Sequence, residues 1–149
     1  MSTPASSRPL WTCPDCGRAF ANAGQRHACG RHSLEAHFAG REPRIRELYD
    51  AFLARIREIG PVTVLPQKTR IAFQTRMSFA QLTPARAWID GHLVLARRVE
   101  HPAFRRIDTI SPRNHVHHFR LTDEADISPD LLAFLREAYD VGEQKHLDR

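Results

Sequence analysis

The sequence predicts an α+β fold: a short cysteine- and histidine-rich module, then a small antiparallel sheet of about five strands packed by an N-terminal and a C-terminal helix. Three observations predict it. All three cysteines fall within residues 11–30, beside a histidine in metal-ligand register. Two amphipathic helical patterns with sharp ends bracket the remainder. Between them lie five short β-rich runs whose connections are too short for helical crossovers, which excludes a doubly wound parallel sheet.

Residues 1–10, MSTPASSRPL, are small, polar and proline-punctuated, and are expected to form a disordered leader. Residues 11–32 form the next unit. Cys13 and Cys16 make a C-x-x-C knuckle, and after ten intervening residues His27 and Cys29 supply a second pair. Zn2+ takes four soft or borderline ligands in a tetrahedron, and a two-residue spacer lets both thiolates of a tight turn address one ion. Pro14, Asp15 and Gly17 are turn formers placed where such a knuckle needs them. Trp11 and Phe20 are expected to cover the metal. A segment this short cannot bury enough surface to fold unaided, and metal binding contributes about 10–16 kcal/mol in isolated finger peptides.

The expected ligand set is Cys13, Cys16, His27 and Cys29, with His32 close enough in sequence to stand in for Cys29 or His27. Four protein ligands make a structural site, because a catalytic zinc keeps a position for water. Competing readings leave residues without a role. A disulfide framework would strand one of the three thiols, and a redox C-x-x-C pair would leave His27 and Cys29 unused.

At 149 residues the chain has room for one modest domain after the finger, expected over 33–142, with 143–149 as a tail. Hydrophobic residues at 42% and charged residues at 26% are ordinary for a soluble globular protein. No stretch approaches the ~18 apolar residues that a membrane helix needs. With its thiols, the chain is expected in the cytoplasm. Its net charge of +5 is unevenly spread: residues 1–42 carry +2, residues 43–121 carry +8 and residues 122–149 carry −5. A basic middle with an acidic end either attracts phosphate or neutralises itself across the fold.

A short capped turn is expected at 33–38. The clearest helix then runs over Pro43–Ile59, with a proline suited to the first turn and Gly60 followed by Pro61 as the stop. Ile45, Leu48, Tyr49, Phe52, Leu53, Ile56 and Ile59 recur at three- and four-residue spacing as one apolar stripe. Strands are expected over 62–65, 70–75, 78–83, 92–98 and 115–121, each rich in β-branched, aromatic or alternating residues and bounded by Pro, Gly, Asp or Asn. A final helix begins at Ser128 and Pro129 and shows Leu131, Leu132, Leu135, Ala138 and Tyr139 on one face before Gly142.

Across 49–142 the succession LPQKTRIAFQTR, MSFAQLTP, ARAWIDGHLVLARR, SPRNHVHHFRL and LREAYDVG resembles the bacterial and archaeal domain of unknown function 5655. Proteins similar to it occur alone, behind a finger of the form CPxCGRxF…QxHxC, or at the end of nuclease-like proteins of restriction systems. The resemblance implies an α+β fold and a bacterial or archaeal chain. It supports Cys13, Cys16, His27 and Cys29 as ligands, because the matching finger pattern places His and Cys at the last two positions. No established activity and no catalytic residue come with it. Lys68, Phe73, Phe79 and His117 fall on positions typical of the family.

Candidate binding residues are Lys68, Arg70, Arg97, Arg98 and His117. Alternation in HVHHFRL puts His115 and His117 on one face and His118 on the other, so the pleat splits the histidine cluster. Phe73, Phe79, Trp88, Phe104 and Phe119 read as core. Asp90, Glu100 and Asp108 stand in no nuclease motif, and the chain has no G-x-S-x-G, phosphate-cradling glycine loop or H-E-x-x-H. The leading expectation is a non-enzymatic protein whose basic domain, with Arg18 and Arg26 of the finger, binds a macromolecule, nucleic acid first. The alternatives are a sensor or enzyme binding a small anion near Lys68 and His117, and a protein-interaction adaptor.

Overall fold

The computed structural model describes residues 4–27 and 32–148. The order of elements begins with a hairpin of β1 (Trp11–Thr12) and β2 (Ala19–Phe20), followed by α1 (Pro43–Ile59). A sheet follows from β3 (Thr63–Pro66), β4 (Ile71–Gln74), β5 (Ser78–Pro84), β6 (Ile89–Leu95), β7 (Arg106–Ser111) and β8 (Asn114–Leu121), and α2 (Pro129–Gly142) completes the domain. Its six strands lie in the order β3-β4-β5-β6-β8-β7, with every pair antiparallel. The expected count of about five strands is therefore corrected to six, with a separate two-stranded sheet in the finger.

Two differences have physical reasons. Strand β7 is an edge strand whose residues are exposed or half-buried, so it carries little of the apolar alternation that marks a strand in sequence. The run expected over 92–98 instead begins at Ile89 and ends at Leu95, because Gly91 acts inside the strand and not as a breaker. Phe119 lies directly across from Gly91, and a Cβ at 91 would come within 2.6 Å of its ring and 2.8 Å of Leu82. The strand needs glycine there so that the aromatic ring can lie over its backbone.

Both helices pack on one face of the sheet. The predicted stripe of α1 is buried from Ile45 to Ile56. It meets the sheet through aromatic contacts of Phe52 with Phe73 at 5.7 Å and with Phe119 at 5.9 Å between ring centroids. Helix α2 is capped by Ser128, whose hydroxyl accepts the Leu131 N–H. It adds Tyr139, whose ring lies 5.4 Å from Phe79 and whose hydroxyl donates to the Pro61 carbonyl. Register places Val64, Phe73, Ala80, Leu93 and His117 in one row on this helix-covered face.

Among the described residues, the opposite face is open over its centre. Its middle row runs Leu65, Ala72, Gln81, His92, His118, Arg106 from edge to edge. At the β3–β4 end this face is covered: Leu65, Ala72 and Gln74 are buried, and Gln74 donates its side-chain N–H to the Ala19 carbonyl of the finger hairpin at 2.8 Å. Nearby, Arg76 donates to the Arg8 carbonyl, and the Ser6 backbone N–H donates to Asp148. The finger is thus seated on the sheet face that the helices leave uncovered.

No helix among the described residues is long and apolar enough to cross a membrane.

Candidate functional site

The finger builds its site from a tight turn. Cys13 donates its N–H to the Arg18 carbonyl and accepts from Gly17 N–H, both at 2.8 Å, and Gly17 takes the positive φ of 74° that closes the knuckle. The turn carries Cys16 back toward Cys13. His27 completes the cluster: one donor atom from each of Cys13, Cys16 and His27 lies within 4.8 Å of the others. Cys16 Sγ is 3.3 Å from His27 Nε2. Around a tetrahedral ion with ordinary Zn–S and Zn–N bonds the two atoms would be about 3.5 Å apart, so the pair is already close to ligand geometry.

The imidazole is oriented by the main chain. His27 Nδ1–H donates to the Gln25 carbonyl at 2.7 Å, which leaves Nε2 with its lone pair directed at the thiols, the usual second contact of a metal-binding histidine. That carbonyl raises the His27 pKa, burial opposes the rise, and the two cysteines add to it. Phe20 stacks on the His27 ring at 4.2 Å, with Trp11 6.2 Å from Phe20, giving the apolar cover expected for the site. The expected fourth ligand, Cys29, lies outside the described residues. His32 is not part of the cluster and instead lines a cleft with Lys68.

That cleft, of about 340 Å3, lies between the segment preceding α1 and the β3–β4 turn. Its cations are Lys68 and Arg41, with Ser33, His37 and Thr69 beside them, and no carboxylate lines it. Arg41 is held by donation to the Pro84 and Ala39 carbonyls, and His37 donates to the Gln67 carbonyl at 2.7 Å. Lys68 has no hydrogen-bond or ion-pair partner among the described residues.

A second cleft, of about 410 Å3, lies on the open sheet face. Arg70, Gln81, His92, Asp108, Val116 and His118 are among its lining, and Thr83 borders both this cleft and the first. Arg70 donates to Gln81 at 3.0 Å, while His118 and Arg106 converge on Asp108 at 2.8 and 3.2 Å. The His118 contact, aided by Arg106, holds the Asp108 pKa below its usual value.

Burial, reinforced by His118 and Arg70 and opposed by Asp108, pushes the His92 pKa down from 6.5 to about 4. The unfolded chain therefore takes up this proton first as pH falls. Neutral His92 makes its full contribution above about pH 6.5 and loses it progressively toward pH 4. An NMR titration of the His92 ring should show a midpoint near 4, and His92→Gln should flatten the loss of stability across that window. A midpoint near 6.5 would contradict it.

The remaining candidates are dispersed. Arg97 makes a two-point contact with Glu137 of α2 at 2.9 and 3.1 Å, and Arg98 pairs with Glu100 at 3.3 Å. His117 is fully buried: Nδ1–H donates to the His115 carbonyl and Nε2 accepts the Val99 N–H, so the main chain occupies both ring nitrogens. Lys68, in the turn after β3, and His117, on β8, are separated by three intervening strands. The structure brings Lys68 and Arg70 to adjoining clefts and places Arg97, Arg98 and His117 elsewhere. Gln81, His92 and His118 share the open face through cross-strand register, which becomes visible only once the strands are paired. Trp88, expected in the core, is 36% exposed at the end of that face, with the Arg120 guanidinium 4.5 Å from its ring centre.

Comparison with known families gives a match of residues 34–142 to the Domain of unknown function (DUF5655). The match does not include the cysteine knuckle. No curated protein and no solved structure matches the chain.

Proposed function

The chain belongs to the domain of unknown function 5655 family, and on that premise we propose that it is a zinc-stabilised, non-enzymatic protein that binds nucleic acid through its phosphate backbone. Two thiols and an imidazole, under an aromatic cover, are the donor set that suits Zn2+, with Cys29 as the fourth ligand. The ion's role is structural: it holds the hairpin on the β3–β4 end of the open sheet face.

One observation carries the nucleic-acid reading. Where Arg97, Arg98, Arg106 and Arg120 each meet a carboxylate, the cleft of Lys68 and Arg41 meets none among the described residues, and it adjoins the cleft that holds Arg70. A track with unmatched positive charge and neutral hydroxyl donors suits successive phosphates.

The test is fluorescence anisotropy of labelled DNA and RNA oligonucleotides across a salt series. Affinity should fall linearly with salt on a log–log plot, and Lys68→Ala should weaken binding and reduce the slope by about 0.7 on a single strand, as for one lost phosphate contact. Absence of binding at low salt, or affinity indifferent to salt, rejects the proposal. Saturable competition by a small anionic metabolite at the Lys68 cleft would favour the sensor reading instead.

A further inference from the structure

We infer that the open sheet face is a subsite for one unpaired base, so that the nucleic acid taken by this protein is single-stranded. The inference rests on the phosphate-binding reading above and adds the recognition of a base.

Four features of the face point the same way. First, among the described residues the face is unobstructed at its centre, because both helices pack on the other side and the finger covers the β3–β4 end. Second, its middle carries side chains that suit a flat, polar-edged ring. Val116 and the exposed Ile110 border the cleft with apolar surface, and the His92 and His118 rings stand 5.5 Å apart beside them. Bases stack on imidazole and aliphatic surfaces of this kind, and the cost of removing a base from a duplex is avoided when the strand is already single.

Third, the hydrogen-bonding groups fit a base edge better than a second phosphate. Gln81 spends its carbonyl oxygen on Arg70 and keeps its amide N–H2 to donate, and neutral His92 offers a donor and an acceptor on one ring. Asp90 and Asp108 border the same cleft and would repel a phosphate placed at its centre. Fourth, the charge for the phosphate lies at the rim. Arg70 donates to the neutral Gln81 amide, and its chain neighbours Thr69 and Lys68 line the adjoining cleft. A strand whose phosphates follow Lys68 and Arg70 thereby lays a base toward Gln81 and His92.

Duplex nucleic acid would not satisfy this arrangement, because its bases are stacked and paired and cannot reach a shallow cleft between neighbouring strands of a sheet.

The experiment compares four probes of equal length at one salt concentration: a single-stranded oligonucleotide, the same strand with abasic sites, its blunt duplex, and inorganic phosphate as competitor. The base-bearing strand is expected to bind at least about fivefold more tightly than the abasic strand, as one stacked base provides. His92→Ala, which removes a stacking ring, should shrink that ratio toward one while leaving the salt slope unchanged, with a melting curve confirming the fold; Lys68→Ala should change the slope and leave the ratio intact. Equal binding of base-bearing and abasic strands, or duplex binding as tight as the single strand, overturns the subsite while the phosphate reading stands. Loss of all salt-dependent binding overturns both.

Discussion

Cys13→Ser is expected to abolish stoichiometric zinc and to detach the finger from the sheet. Cys13 is 3% exposed, at the base of the knuckle, and its thiol is one of three donors already gathered within 4.8 Å. The hairpin beside it has two residues per strand, far below what an isolated hairpin needs, and its apolar content among the described residues is essentially Trp11, Phe20 and the His27 ring. Metal coordination, about 10–16 kcal/mol in isolated fingers, is the one term large enough to hold it. Without the ion, this end of the chain would rest on hydrogen bonds such as Gln74–Ala19, Arg76–Arg8 and Ser6–Asp148, each contributing only about 1 kcal/mol. The main domain, whose core is built from α1, α2 and six strands, should stay folded. Elemental analysis should therefore drop from one zinc per chain to none, and amide exchange should accelerate at Ala19, Phe20 and the β3–β4 pair. A C13S protein that keeps its zinc, or whose exchange at Phe20 is unchanged, would refute this account.

Gly91→Ala should destabilise the domain by about 1–3 kcal/mol, as expected for an extra methyl group in a filled core. The new Cβ would stand 2.6 Å from the Phe119 ring and 2.8 Å from Leu82. Neither neighbour can readily retreat: Phe119 is itself stacked on Phe52 at 5.9 Å, and Leu82 is fully buried. Urea denaturation should report the loss as a lower midpoint with an unchanged slope. Because the clash is specific to one ring, the double variant with Phe119→Leu should be less destabilised than the sum of the single variants. A midpoint within about 0.5 kcal/mol of the parent would show that β6 and β8 do not approach as closely as described.

Much of the framework was legible residue by residue. Pro43, the 3–4 spacing from Ile45 to Ile59 and the Gly60-Pro61 stop define α1, and Ser128-Pro129 opens α2, because caps and stripes act within a few residues. Alternation in 115–121 put His115 and His117 on one face and His118 on the other, and the structure buries the first pair. Edge strand β7 escaped because an exposed strand is stabilised by its ladder to β8, and a hydrogen-bond ladder leaves no apolar signature. Trp88 read as core because its size favours burial, whereas Arg120 covers its ring at the surface.

By itself the sequence determined the local terms: helix ends, the face of each strand residue, and a knuckle whose spacing aims two thiols at one point. Tertiary structure alone decided which charges are matched and which stand open. Arg97 meets Glu137 from 40 residues away, while Lys68 meets no carboxylate among the described residues, and His117 lies three strands from the lysine that sequence reasoning set beside it. The physical reason is that caps, turns and pleats are fixed by neighbours along the chain, whereas charge pairing and clefts depend on the register between strands that the chain brings together only when it folds.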